Sequence, residues 1–257
     1  MSNNTMTILG TSMNLRIEPG KTIDDYKHIP TVGKIQNGFS TDIIWNGEDM
    51  FCDDAGYSKA LPNYNPIFGM EDRQKRGISV YVKSDLKAEK VMVMTKPHLM
   101  HVKVYKDSDY INLIVFRILV SDSSQNDFID RRKQFESVIN YIRNLEDKHN
   151  IVLTGDWNHG VINNNGFYKR DCGRYFFNYQ YIEKELLKNG VIVKDMKGFS
   201  YKGYMKIDHI AVDKNVKIVN AQYVDPFKRL PVGIGVPDHK SILAEVEFCA
   251  KEEKWHE

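Results

Sequence analysis

Short runs of β-branched and apolar residues recur along this chain with polar loops between them, and that rhythm constrains its fold more than any other feature. The runs fall at residues 7–9, 42–45, 77–83, 90–94, 101–105, 111–120, 151–154, 191–193, 206–212, 218–224 and 241–248. HVKVY alternates with period two, as a sheet with one wet face requires, whereas INLIVFRILV is nearly all apolar and predicts a central strand. Helical spacing is found in two places. Residues 127–147 repeat Phe128, Phe135, Val138, Ile142 and Leu145 on one face. Residues 174–188 align Ile182, Leu186 and Leu187, with Gly190 as a stop. Many strands with few helices predict an α+β fold in which sheets pack face to face with helices outside.

A hydrophobic content of 42% in 257 residues suffices for a sizeable core, and no repeat or linker marks a boundary, so one domain over 1–257 is expected. The net charge of +2 is too small to hold nucleic acid by charge alone and leaves the substrate open. Cys52, Cys172 and Cys249 are odd in number, far apart and without C-x-x-C spacing, which argues for a reducing compartment and against tetrahedral zinc. MSNNTMTILGTSMNL lacks a basic leader followed by an apolar stretch, and no segment approaches the roughly 18 apolar residues of a membrane span. A cytoplasmic protein with no membrane association and no obligate protein partner is expected.

The stretch IVLTGDWNHG carries the most chemistry. Its apolar run leads to Asp156 and Asn158, two positions apart, so that in extended backbone a carboxylate and an amide point the same way. Such a pair suits orientation of a nucleophilic water and neutralisation of phosphoryl oxygens, and equally suits a turn that satisfies its own backbone. In KIDHIAV, Asp208 interrupts an apolar strand pattern and so requires a hydrogen-bonded or charged neighbour. In VPDHKSILAEVEF, Asp238 and His239 directly precede a strand, an arrangement that fits acid–base work when a carboxylate orients the imidazole. Singly, each fragment reads as a solvated loop acid or a capping histidine.

In order, GDWN, IDHI and PDH before a last strand resemble the endonuclease/exonuclease/phosphatase superfamily, with its DNase I-like and exonuclease III-like enzymes. Two upstream motifs agree. Ser12-Met13-Asn14 looks like the S/T-W-N motif, and Asp42-Ile43-Ile44-Trp45 leads to Glu48 where the superfamily has the glutamate of D-I-x-x-L-Q-E. KRGISVYVK is similar to the strand that follows, so the resemblance runs from about Thr7 to Phe248. It implies a four-layer sandwich of two packed mixed β-sheets flanked by helices. It also implies Mg²⁺, replaceable by Mn²⁺, held by Glu48 with Asn14 and Asp238. Asp156 would activate the water, Asn158 donate to the phosphoryl oxygens, and His239, held by Asp208, contact the scissile phosphate and move a proton.

Several positions depart from the pattern. Asn46 and Gly47 stand where Leu and Gln precede the glutamate, Trp157 replaces Phe, and Arg117 falls where relatives place a His or Tyr against phosphate. A guanidinium clamps phosphate but does not give up a proton, so Arg117 is expected to bind substrate or to pair with an acid. His209 is expected to be structural, His159 to sit in a turn, and His98 and His101 not to be ligands. Gly233-Ile234-Gly235 is expected to shape the turn that delivers Asp238.

Loops around the motifs gather Tyr57, Tyr64, Phe68, Arg73, Lys75 and Arg76, then Phe167, Tyr168, Lys169 and Arg170, then Tyr223, Phe227, Lys228 and Arg229. Such loops offer bases a stacking face and phosphates a cation, which favours a nucleic acid substrate, DNA before RNA, over the reading of these aromatics as core. A Mg²⁺-dependent nuclease is therefore expected. The alternatives are a phosphatase or phospholipase acting on small esters or lipids, and a non-catalytic binding module with the same fold.

Overall fold

The computed structural model describes residues 4–16, 18, 20–21, 25–50, 60–70, 75–164 and 168–248, excluding the side chains of 164 and 168–170. Strands β1 (Asn4–Ser12), β2 (Ile43–Asp49), β3 (Tyr64–Phe68), β4 (Gly77–Lys83), β12 (Val216–Val224) and β13 (Ser241–Phe248) form one sheet in the order β12-β13-β1-β2-β4-β3. Strands β5 (Lys87–Thr95), β6 (His98–Lys106), β7 (Asp109–Arg117), β8 (Ile151–Asn164), β10 (Val191–Val193) and β11 (Met205–Asp213) form the second, ordered β10-β11-β8-β7-β6-β5, with β9 (Tyr168–Asp171) added to β8. Both sheets are mixed. β1 pairs parallel with β2 across helix α1 (Ile29–Asn37), and β7 pairs parallel with β8 across helix α2 (Gln125–Arg143). Helix α3 (Tyr179–Lys188) precedes β10.

Side-chain alternation explains the layers. Ile8, Ile43, Trp45 and Val80 of the first sheet meet Val102, Leu113, Val152 and Ile210 of the second in a central core. Their neighbours face outward. Leu9, Ile44 and Tyr81 pack under Ile29 and Val32 of α1. Ile114, Phe116 and Leu153 pack under Phe135, Val138 and Ile142 of α2 and under Ile182 and Leu186 of α3. Three apolar seams therefore bind four layers, the expected sandwich. A strand covered on both faces has no wet side, which is why INLIVFRILV is continuously apolar.

Several boundaries differ from expectation. β8 continues through the polar GDWNHG, which the pattern had ended at 154, and β7 stops at Arg117. β3 and α1 carried little signal. The helix IPTVGKIQN holds a glycine and four β-branched residues, and its start has no side-chain cap. α2 starts under a Ser124 cap whose side chain accepts from the Asp127 amide, and Asn178 caps α3 in the same way toward Tyr181. No helix among the described residues is long and apolar enough to cross a membrane.

Candidate active site

The central core turns polar at one end, and the site is that end. Along β7 the inward row runs Leu113, Val115, Arg117; along β8 Val152, Thr154, Asp156; along β11 Val212, Ile210, Asp208; along β6 Val104, Val102, Met100, His98. From the first sheet come Ser12, closing β1, and Glu48, near the end of β2. Both parallel pairs thus deliver their carboxyl ends to one place.

Glu48 sits where the β2–β4 register shifts, with φ of 53°, and is 7% exposed. Its Oε1 meets Arg117 Nη2 at 2.8 Å and Arg76 Nη1 at 3.1 Å, while Oε2 accepts from Ser12 Oγ at 3.5 Å. Asn14, with φ of 46°, lies alongside because the amides of Met13 and Leu15 donate to the carbonyls of Gly47 and Glu48. The Gly235 amide donates to the Asn14 carbonyl, and Gly235, with φ of 75°, turns the chain toward Asp238 as its sequence suggests.

Arg117, 14% exposed, spans the gap between the sheets, its Nε donating to Asp156 Oδ2 at 3.2 Å while Nη2 holds Glu48. Asn158 lies beside Asp156, as the spacing implied. Its backbone amide donates to Oδ1 at 2.9 Å, and its side-chain amide to Oδ2 at 3.2 Å and to the Ile118 carbonyl at 2.8 Å. Its N–H groups therefore fix the carboxylate. Asp208 stands opposite Asp156 in the β8–β11 register, donates its backbone amide to Ser200 Oγ at 3.2 Å, and accepts with its carboxylate from His239 Nδ1 at 2.8 Å. Asp238 Oδ1 is 3.9 Å from His239 Nε2, and the Tyr201 ring lies 4.5 Å from the imidazole. Every residue expected at the site is thus part of one cluster, and Glu48 and His239 lie on the same side of the molecule.

Burial disfavours a charged His239, but the negative charge and hydrogen bond of Asp208, with Asp156 and Asp238 nearby, outweigh it and hold the imidazole at about 10. Burial pushes Asp156 up to about 6, helped by Asp208 and opposed by His239 and Arg117. Asp238 is raised by burial, with a further push from Glu48 that His239 opposes.

Asp156, Asp208 and His239 bring their ligand atoms within 4.8 Å of one another, a group able to hold a metal ion. An imidazolium that donates to Asp208 offers no lone pair, so these three read better as an acid–base array. Hard oxygen donors are found instead at Glu48, Asp238 and Asn14, and Glu48, whose Oε1 is taken by Arg117 and Arg76, would offer Oε2 to a cation. That donor set fits Mg²⁺ or Mn²⁺.

Other expectations resolve differently. Tyr64 and Phe227, expected among stacking aromatics, are core residues under α1, and Tyr223 donates its hydroxyl to the Asp208 carbonyl at 2.6 Å. Tyr57, Arg73, Phe167, Cys52 and Cys249 lie outside the described residues, as do the side chains of Tyr168, Lys169 and Arg170. His209 is structural, meeting the His159 carbonyl at 2.8 Å, and His159 is buried within β8 rather than in a turn. His101 bridges the Tyr141 hydroxyl and Asn112. His98, set aside in the sequence, faces Arg117 across the β6–β7 pair. Its inward row was the signal that could have found it.

No family model matches the sequence, and no curated protein does. Solved structures do match. An endonuclease/exonuclease/phosphatase family protein from Bacteroides thetaiotaomicron has a TM-score of 0.67 at 12% identity, over 97% of this chain and 100% of that one. TDP2 from D. rerio, complexed with single strand DNA product, has a TM-score of 0.60 at 13% identity, over 94% and 98%. A mannosyl-6-phosphatase from Bacteroides thetaiotaomicron VPI-5482 has a TM-score of 0.60 at 13% identity, over 94% and 99%. The fold is that of the endonuclease/exonuclease/phosphatase proteins.

Proposed function

We propose that this chain is a divalent-cation-dependent phosphoesterase that hydrolyses a nucleic acid phosphodiester, DNA in preference to RNA. The observation that carries the proposal is the unbroken line of charge from Glu48 through Arg117 to Asp156, facing Asp208 and His239 with Asp238 beyond. Glu48, Asp238 and Asn14 would hold Mg²⁺, which supplies a positive charge against the phosphate oxygens. Asp156, fixed by Asn158, takes the proton of the attacking water. His239, kept protonated by Asp208, contacts the scissile phosphate and neutralises charge as it develops. The water oxygen bonds to phosphorus, the ester P–O bond breaks, and the leaving oxygen collects a proton from His239 or solvent. Arg117 holds Glu48 and Asp156 at a fixed separation across the sheets.

A second reading, hydrolysis of a small phosphate monoester, is favoured by the likeness in fold to the mannosyl-6-phosphatase. A Mg²⁺-supplemented panel of plasmid, single-stranded DNA, RNA and sugar phosphates separates the two. EDTA-sensitive cleavage of a polynucleotide supports the first, and turnover of sugar phosphates alone the second. Asp156→Asn and His239→Ala should each lower kcat by at least about 10²-fold. Full activity in both variants removes the mechanism.

A further inference from the structure

A cavity of about 360 Å³ opens beside Arg76, the partner of Glu48, and the catalytic scheme leaves it unused. That volume falls in the roughly 300–1,000 Å³ range of small-molecule sites. Arg76, one of the two guanidiniums on Glu48, lines it, so the cavity adjoins the carboxylate directly. Phe68, Met70 and Met94 give it an apolar wall, and Lys90 stands at its rim with Nζ donating to the Phe68 carbonyl at 3.2 Å. Of its other polar side chains, Lys75 and Thr95 are exposed, and the buried one is His98, which is 9% exposed and pairs across the sheet with Arg117. Its Nδ1 is buried with no hydrogen-bond partner among the described residues. A buried polar atom without a partner is rare in folded proteins and calls for one from outside.

Resting on the nucleic acid reading above, we propose that this cavity is a nucleobase subsite next to the scissile phosphate, and that His98 is a specificity-determining residue there. An aromatic face and two thioethers suit a planar ring. The imidazole supplies one hydrogen-bonding group to the ring's polar edge. Arg76, on Glu48, stands at the scissile-phosphate end of the cavity, and Lys90 at the rim meets the phosphate on the other side of that nucleoside. A bare phosphate or a sugar phosphate leaves the apolar wall wet and His98 unused.

The test is calorimetric titration of the full chain, with Mg²⁺, by adenosine 5′-monophosphate and by ribose 5-phosphate. The nucleotide should bind about tenfold more tightly than the sugar phosphate. His98→Ala and Met94→Glu should each erase that difference while leaving ribose 5-phosphate affinity unchanged, and His98→Gln should keep part of it. In turnover, Met94→Glu should raise KM for a dinucleotide about tenfold with kcat within about twofold. Equal affinity of the two ligands for the parent chain, no binding of either, or a preference that survives both variants overturns the subsite. A parent chain that cleaves no polynucleotide overturns the nuclease reading instead, because the binding comparison needs no turnover.

Discussion

Asn14, Glu48 and Asn158 have φ of 46°, 53° and 52°, a conformation in which side chains other than glycine's are uncommon. Residues held so at a site are kept there by their surroundings, and here the surroundings are the register shift at Glu48 and the hydrogen bonds tying Asn158 to Asp156. Charge at this scale makes a pH prediction. His239 rises in the folded chain from its ordinary 6.5 to about 10, so its contribution to stability is complete below about 6.5 and is lost as pH climbs toward 10. Urea midpoints of the parent and Asp208→Asn should differ most near pH 6 and converge by about pH 10; a constant gap contradicts the pairing. Activity should follow a bell, its acid limb set by Asp156 near 6 and its alkaline limb by His239.

At the scale of elements, β8 decides the geometry. Gly155 has φ of 142°, and a Cβ there would lie 1.9 Å from the Phe116 carbonyl oxygen, so β7 and β8 close up only because this residue has no side chain. Gly155→Ala should destabilise by at least about 1–3 kcal/mol in urea unfolding and lower kcat as well, since Asp156 is the next residue. A neutral outcome sinks this account of β8. The same strand shows what a sequence can convey. Asp208 was legible as an acid inside an apolar pattern that needs a partner, whereas the ordered set of candidate residues, Asn14 and Glu48 among them, was drawn from the resemblance to the endonuclease/exonuclease/phosphatase superfamily. The continuation of β8 was not, because its polar side chains look inward at a site rather than outward at water, and periodicity alone cannot tell the two apart. Arg117 was legible as an anomaly but not as the link to Glu48, which depends on how two sheets are stacked. Arg76 acquires meaning only through its ion pair with Glu48, and His98 only through its pairing with Arg117 across β6 and β7.

Across the whole molecule, the four layers set the outer surface apart from the reaction centre, and the net charge of +2 offers little general attraction for polyanions. Binding of DNA should therefore depend on a few local cations near the site. The logarithm of the association constant should fall with the logarithm of salt at a slope no steeper than about −3. A slope near −8 would instead show a broad basic face at work and overturn this expectation.

Among the described residues the chain changes sheets twice, entering the second sheet at β5 and leaving it after β11. Arg117, Asp156 and Asp208 therefore arrive on one uninterrupted stretch, while Glu48 precedes it and His239 follows it. During synthesis the imidazole is the final piece to emerge. Under the mechanism proposed above, a chain stalled before His239 therefore carries the acids without the group that works with them.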